Sequence, residues 1–209
     1  MLERRDIDEL IILDIAATPN NRGPRFDEAQ ELCEGLFCPI TIGGGIRNIN
    51  DIRRLLAGGA DKVAINTAVI DRPELIDEAA RKFGSQAVVV SIDVHGGHVI
   101  ADCGRRYTSG RALEWAKECE RRGAGEILLT SIEHDGMMNG YDCNLIHGVC
   151  DAVSIPVVAA GGAGNYQHLA DALSAGAHAV AVGAAFQFRE LTPKGAARYL
   201  QQHGYAVRT

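Results

Sequence analysis

The sequence lacks most of the features that mark specialised partners. It holds no apolar run near the roughly 18 residues of a membrane-spanning helix. Its amino end, Met1 to Asp8, is charged throughout rather than basic and then apolar, so neither a membrane segment nor a signal peptide is expected. Cationic residues are the minority: 21 Lys+Arg stand against 27 Asp+Glu, a formal charge of −6, and no basic stripe appears, which excludes a nucleic-acid surface. Aromatics make up only 5% of the chain, and Trp115 and Tyr141 read as packing residues rather than as platforms for bases. The six cysteines form no C-x-x-C pair, so neither a zinc site nor a disulfide framework is expected, and they are read as reduced thiols of a cytosolic protein. The histidines show no metal-ligand spacing; His95 and His98 lie three apart, but across Gly96-Gly97. No metal and no cofactor is expected.

What is present is a chain of 209 residues, 46% hydrophobic, enough for one large domain with a real core. Short β-branched runs recur at Leu10 to Asp14, Ile40 to Gly43, Lys62 to Asn66, Ala87 to Asp93, Glu126 to Thr130, Val157 to Ala160 and Ala179 to Gly183. They lack apolar/polar alternation, which predicts parallel strands buried on both faces. Helical patterns lie between them, at Asn50 to Ala57, Pro73 to Phe83, Ala112 to Arg121 and His168 to Ser174, most with a glycine following. Strand and helix alternate, so the fold class is α/β with a parallel sheet, closed or doubly wound. The exception is His95 to Tyr107, where Gly96-Gly97 predicts a small inserted hairpin.

An internal repeat narrows the choice. With a shift of 117 residues, Glu9 to Thr67 falls on Glu126 to Ala184 without a gap, and 13 of 59 positions are identical, among them Pro39 on Pro156, Gly44-Gly45 on Gly161-Gly162 and Asn48 on Asn165. Two copies of a three-strand block, separated by one further unit, point to a (β/α)8 TIM barrel built from two halves, read as a single domain over 1–209. Seven strands are visible. The two-fold mate of the Asp93 strand would precede Met1, so the first βα unit is expected to be missing from this chain. A barrel of seven strands leaves two edges with unpaired N–H and C=O groups, and a homo-oligomer through the open side is expected.

Four segments at the carboxyl ends of strands suit an anion: Gly43-Gly44-Gly45 ahead of the helix cap Asn48, Asn66-Thr67, Gly161-Gly162-Ala163-Gly164 ahead of Asn165, and Gly183-Ala184. Glycines let backbone N–H groups approach a ligand, and a helix N-terminus adds about half a positive charge. Under the repeat these segments form two symmetric sites on one face, suited to a small molecule with a phosphate at each end. Asp14, Asp93 and Asp135 fall where a barrel presents side chains at its catalytic mouth. Asp135, in Glu133-His134-Asp135-Gly136, reads equally as a turn residue. Asp93 follows six apolar or small residues, so its pKa is expected to rise toward values useful in proton transfer. Glu9, Lys62 and Glu126 begin strands, a position that in barrels usually serves stability.

These residues resemble a known family. Asp8 to Ile15, Gly43-Gly-Gly-Ile46, Gly59-Ala-Asp-Lys-Val63, Asn66-Thr67, Phe83 to Val90, Arg122 to Ile132 and Gly161-Gly-Ala-Gly164 are similar to the cyclase subunits of imidazole glycerol phosphate synthase over essentially the whole chain. The resemblance implies a barrel that takes ammonia from a glutaminase subunit. The substrate would be a bis-phosphorylated ribulosyl-formimino aminoimidazole carboxamide ribotide, and the products imidazole glycerol phosphate and aminoimidazole carboxamide ribotide. It implies Asp93 as one catalytic aspartate and places the other on the missing first strand. Gly44, Gly45 and Thr67 would form one phosphate site, and Gly161, Gly162 and Gly183 the other. Glu9, Lys62 and Glu126 match three of four residues that gate ammonia entry. Departures are Ser131-Ile-Glu-His-Asp-Gly-Met137, Cys103 where a serine is common, and Ala184 in place of a serine. Two alternatives remain: a related ammonia-channelling subunit in amidation of surface-polysaccharide sugars, and a catalytically impaired barrel fragment.

Overall fold

The computed structural model describes residues 7–207; the charged stretch Met1 to Asp6 lies outside the described residues. Seven parallel strands run in the order β1 (Leu10–Leu13), β2 (Ile40–Gly43), β3 (Lys62–Ile65), β4 (Val88–His95), β7 (Glu126–Ser131), β8 (Val157–Ala160) and β9 (Ala179–Val180). The helices that connect them are α1 (Phe26–Cys33), α2 (Ile49–Ala57), α3 (Thr67–Asp71), α4 (Glu74–Phe83), α5 (Ala112–Arg121), α6 (Cys143–Ala152) and α7 (Tyr166–Ser174), with α8 (Ala184–Phe188) and α9 (Pro193–Gln202) after β9.

Both faces of the sheet are buried, which explains the missing alternation. On β4, Val88, Val90, Ile92 and Val94 pack with every helical core residue in one large cluster. Val89 points the other way and joins Ala64, Leu128 and Val158 in a small second cluster. Helices thus cover one face, while the other closes on itself, the arrangement of a TIM barrel wall with seven parallel strands among the described residues. Because side chains alternate along a strand, Asp93 shares the inner face with Val89 and Ser91.

The repeat is visible in the backbone. Leu10 pairs with Ile40 as Ile127 pairs with Val157, and Ile42 pairs with Val63 as Ala159 pairs with Val180, in each case 117 residues apart. The cap Asn48 (φ −155°, ψ 170°) accepts from the amides of Asn50 and Asp51, and its mate Asn165 (φ −156°, ψ 173°) accepts from that of His168.

The structure adds to the expected insertion. β4 continues to His95 because β5 (His98–Ala101) pairs with it antiparallel, and a further strand, β6 (Arg106–Arg111), extends the hairpin. β9 stops at Val180, short of the expected Gly183, since among the described residues it has a single neighbour to pair with. No helix among the described residues is long and apolar enough to cross a membrane.

Candidate active site

Asp93 sits near the carboxyl end of the central strand, paired to β7 at Thr130. Desolvation pushes its pKa up to about 6. Three hydrogen bonds oppose the rise: Ser91 Oγ donates to Oδ1 (3.4 Å), Asn66 Nδ2 donates to Oδ2 (2.9 Å), and Thr130 contributes a third, while the nearby charge of Asp135 adds to it. Burial dominates because the carboxyl borders the apolar inner cluster. The result is a carboxyl that titrates within reach of neutral pH. The Asn66 side chain holds the aspartate, and its Oδ1 is buried without a hydrogen-bond partner.

The glycine segments lie at the same ends of their strands, and their backbones repeat. Gly45 has φ 71° and its mate Gly162 φ 118°, values that favour glycine. A Cβ on Gly162 would stand 2.1 Å from the carbonyl oxygen of Gly140. Asn66 (φ −118°, ψ −92°) and Gly183 (φ −112°, ψ −83°) turn the chain alike into α3 and α8. The first of these ends opens into a cavity of about 380 Å³, which Gly45, Thr67, Asn21, Arg47 and Asp102 help to line.

Asp14 closes β1 beside Gly44, but its carboxylate is engaged. Arg22 grips both oxygens, at 2.8 and 2.6 Å, and holds the carboxyl below its usual range. Asp135 lies in the loop after β7, its amide donating to Ser131 O, with its Cα 3.3 Å from where a Cβ on Gly161 would be. Gly161 directly follows β8, whereas Ala184 opens α8, four residues past the end of β9. At the opposite end of the strands, Lys62 Nζ donates to Glu9 Oε2 (2.9 Å) and Glu126 Oε2 (2.7 Å). Burial works against the lysine charge, yet the two carboxylates outweigh it and raise its pKa.

Sequence reasoning found the hairpin but missed Arg47, Asn21 and the contacts made by the turn at Asp102 and Cys103. Asp102 and Cys103 adopt left-handed φ values of 53° and 54°. That turn brings the Asp102 amide to Thr67 Oγ1 (3.0 Å) and lets Cys103 Sγ donate to Ile15 O (3.4 Å). The Gly-Gly turn signals the hairpin, but no local pattern signals these contacts, which span 35 and 88 residues.

Comparisons with known proteins agree with this geometry. The profile of the family described as histidine biosynthesis protein matches residues 1–192. The chain is also similar to imidazole glycerol phosphate synthase subunit HisF of Thermobifida fusca (strain YX), 44% identical over 211 residues that cover 96% of this chain and 82% of the relative.

Proposed function

The chain belongs to the histidine biosynthesis protein family, and from that membership and the site's geometry we propose that it is the cyclase subunit of imidazole glycerol phosphate synthase. It would use ammonia to convert the bis-phosphorylated ribulosyl-formimino substrate into imidazole glycerol phosphate and aminoimidazole carboxamide ribotide. The observation that carries the reading is the pairing of two glycine-lined backbone ends, related by the 117-residue repeat, across one mouth that also holds Asp93. Each end offers N–H groups to a phosphate, so a ligand charged at both ends is held across the carboxyl.

Closing an imidazole ring with ammonia requires protons to leave nitrogen and a carbonyl oxygen to depart as water. A carboxyl with a pKa of about 6 is roughly one-tenth protonated at pH 7, so both the base and the acid form are populated. Asp93 is assigned as that group. Gly44, Gly45 and Thr67 are assigned to one phosphate and Gly161, Gly162, Gly183 and Ala184 to the other, with Asn66 placing Asp93, and Asp14 and Asp135 bordering the substrate. Glu9, Lys62 and Glu126 are assigned to ammonia entry at the opposite end, where a glutaminase subunit would dock. Among the described residues the outer edges of β1 and β9 have no strand partner, which favours self-association of the 209-residue chain.

Turnover of the ribulosyl substrate with ammonium salts tests the assignment. Formation of both products is expected, and loss of the activity in Asp93→Asn. A well-folded chain that binds the substrate without turning it over would instead favour the sugar-amidation relative.

A further inference from the structure

The two phosphate ends share a backbone but not side chains. Shifted by 117 residues, Arg47 falls on Gly164, Thr67 on Ala184, Asn21 on Met138 and Asp51 on His168. Asn21 (φ 50°) and Met138 (φ 55°) keep the same left-handed turn, so the frames correspond even where the residues differ. The difference at Arg47 is enforced by packing. A Cβ on Gly164 would lie 2.0 Å from the Met138 carbonyl oxygen, so the second end has no room for a side chain there. The first end has that room and fills it with a guanidinium.

The charges around the first cavity leave that guanidinium unneutralised. Four charged residues line it: Arg47, Arg72, Asp71 and Asp102. Arg106 takes up both aspartates, through Nη2 to Asp71 Oδ1 (2.6 Å) and Nε to Asp102 Oδ2 (3.0 Å), and Arg72 is paired with Glu78. Among the described residues Arg47 forms no ion pair; its Nη2 donates to Asn21 Oδ1 (2.9 Å), which steers the side chain over the cavity. Its amide is also occupied, donating to Asp51 Oδ2 (2.9 Å), so what Arg47 offers an anion is the rest of its guanidinium fork. Thr67 adds a hydroxyl: Oγ1 accepts from the Asp102 amide, which leaves the hydroxyl proton to donate.

We infer that Arg47 is a specificity-determining residue that clamps one phosphomonoester of the substrate at the Gly45 and Thr67 end, so that the two ends bind phosphate unequally and the substrate enters in one direction. The inference rests on the paired-phosphate reading above and deepens it. The first end recognises the dianion with a charged fork and a hydroxyl, while at the matching positions the second has Gly164 and Ala184, which carry neither group. A ligand carrying a single phosphate accordingly occupies the first end.

The test is titration of the isotope-labelled 209-residue chain with inorganic phosphate, followed at the amides of Gly45 and Thr67 for one end and Gly162 and Gly183 for the other. The first end is expected to saturate at about tenfold lower phosphate, the contribution of one charge-assisted contact. Arg47→Gln should bring it to the level of the second end without moving that end, and Arg47→Lys should restore part of the gain. In turnover, Arg47→Gln should raise KM about tenfold and leave kcat within about twofold. Arg47 is exposed, so an unchanged melting temperature is the control for folding. Equal midpoints at the two ends, or a glutamine variant that moves both or neither, would overturn the inference and leave the cyclase reading standing. No phosphate shift at either end would overturn both.

Discussion

Replacing Asp93 with asparagine should make the protein more stable while removing its activity. Desolvation lifts the Asp93 pKa from 3.8 to about 6, so the folded protein holds an ionised carboxylate at pH 8 against a penalty. At 1.36 kcal/mol per pKa unit, a rise of roughly two units corresponds to about 3 kcal/mol. The sign follows from linkage: a folded-state pKa above the unfolded one gives stability that is fully present below pH 3.8 and lost as the pH rises through 6. Asparagine carries no charge to desolvate, and its carbonyl still accepts from Asn66 Nδ2. Asp93→Asn should therefore gain up to about 3 kcal/mol over the wild type at pH 8 and close to nothing at pH 4. Asp14 and Glu118, whose carboxyls are held low by arginines, lose their stabilising charge in acid equally in both proteins and cancel. Urea unfolding of the two proteins at pH 4, 6 and 8, read by far-ultraviolet circular dichroism, measures the difference, and ammonium-dependent turnover should fall by about 10² to 10⁴. A variant less stable than the wild type at pH 8, or a difference that does not change with pH, would refute the burial argument. Near-wild-type turnover would remove Asp93 from the chemistry.

Lys62→Met leaves Glu9 and Glu126 without their shared cation and should cost about 1–3 kcal/mol; Glu126→Gln in the same background should recover most of it in urea unfolding. The lysine variant should also lose more glutamine-driven turnover, measured with the glutaminase, than ammonium-driven turnover. Gly164→Ala meets the Met138 carbonyl at 2.0 Å and should lower stability by more than about 2 kcal/mol, whereas Gly183→Ala, with nothing within 4 Å and φ −112°, should stay within about 0.5 kcal/mol on calorimetry. The edges of β1 and β9 are flanked by exposed Leu13 (42%) and Phe188 (74%), so the 209-residue chain should self-associate at micromolar concentration. Light scattering of a stable monomer would contradict that.

Strand positions were legible because fully buried parallel strands read as continuous apolar runs: β2 and β8 begin and end where the sequence places them, and α5 matches at both ends. The glycine turns at the strand ends were legible for a related reason. Glycines at strand ends, repeated at one spacing, have a backbone cause that a sequence displays directly. The elevated Asp93 pKa was also foreseeable, since six small or apolar residues lead into it. Contacts between elements distant in sequence were not legible. Asn66 and Asp93 are 27 residues apart, and only the pairing of β3 with β4 brings them together. Asp102 reaches Thr67 through a turn with two left-handed non-glycine residues, which no local pattern announces. Arg47 was read past because it follows a glycine run whose backbone role was already sufficient.

The same contrast explains how a two-fold frame can serve a reaction with one direction. Strand register and cap geometry are shared constraints: shifting β8 against β7 by one residue would turn every inner side chain outward, so both halves keep the same pairing. The side chains at the strand ends are not fixed by that register and can differ between the halves. Among the differences there are Asn66 opposite Gly183 and Asp14 opposite Ser131, in addition to Arg47 opposite Gly164. Each substitution places the charged or amide group in the first half. The hydrogen bond from Asn66 to Asp93 joins that half to the central strand, and the Thr130 contact joins the central strand to the second half. On the proposed reading the reacting centre is set at the junction of the halves and biased toward the first, while the second half would supply the distance and backbone donors for the far end of a long, doubly charged ligand.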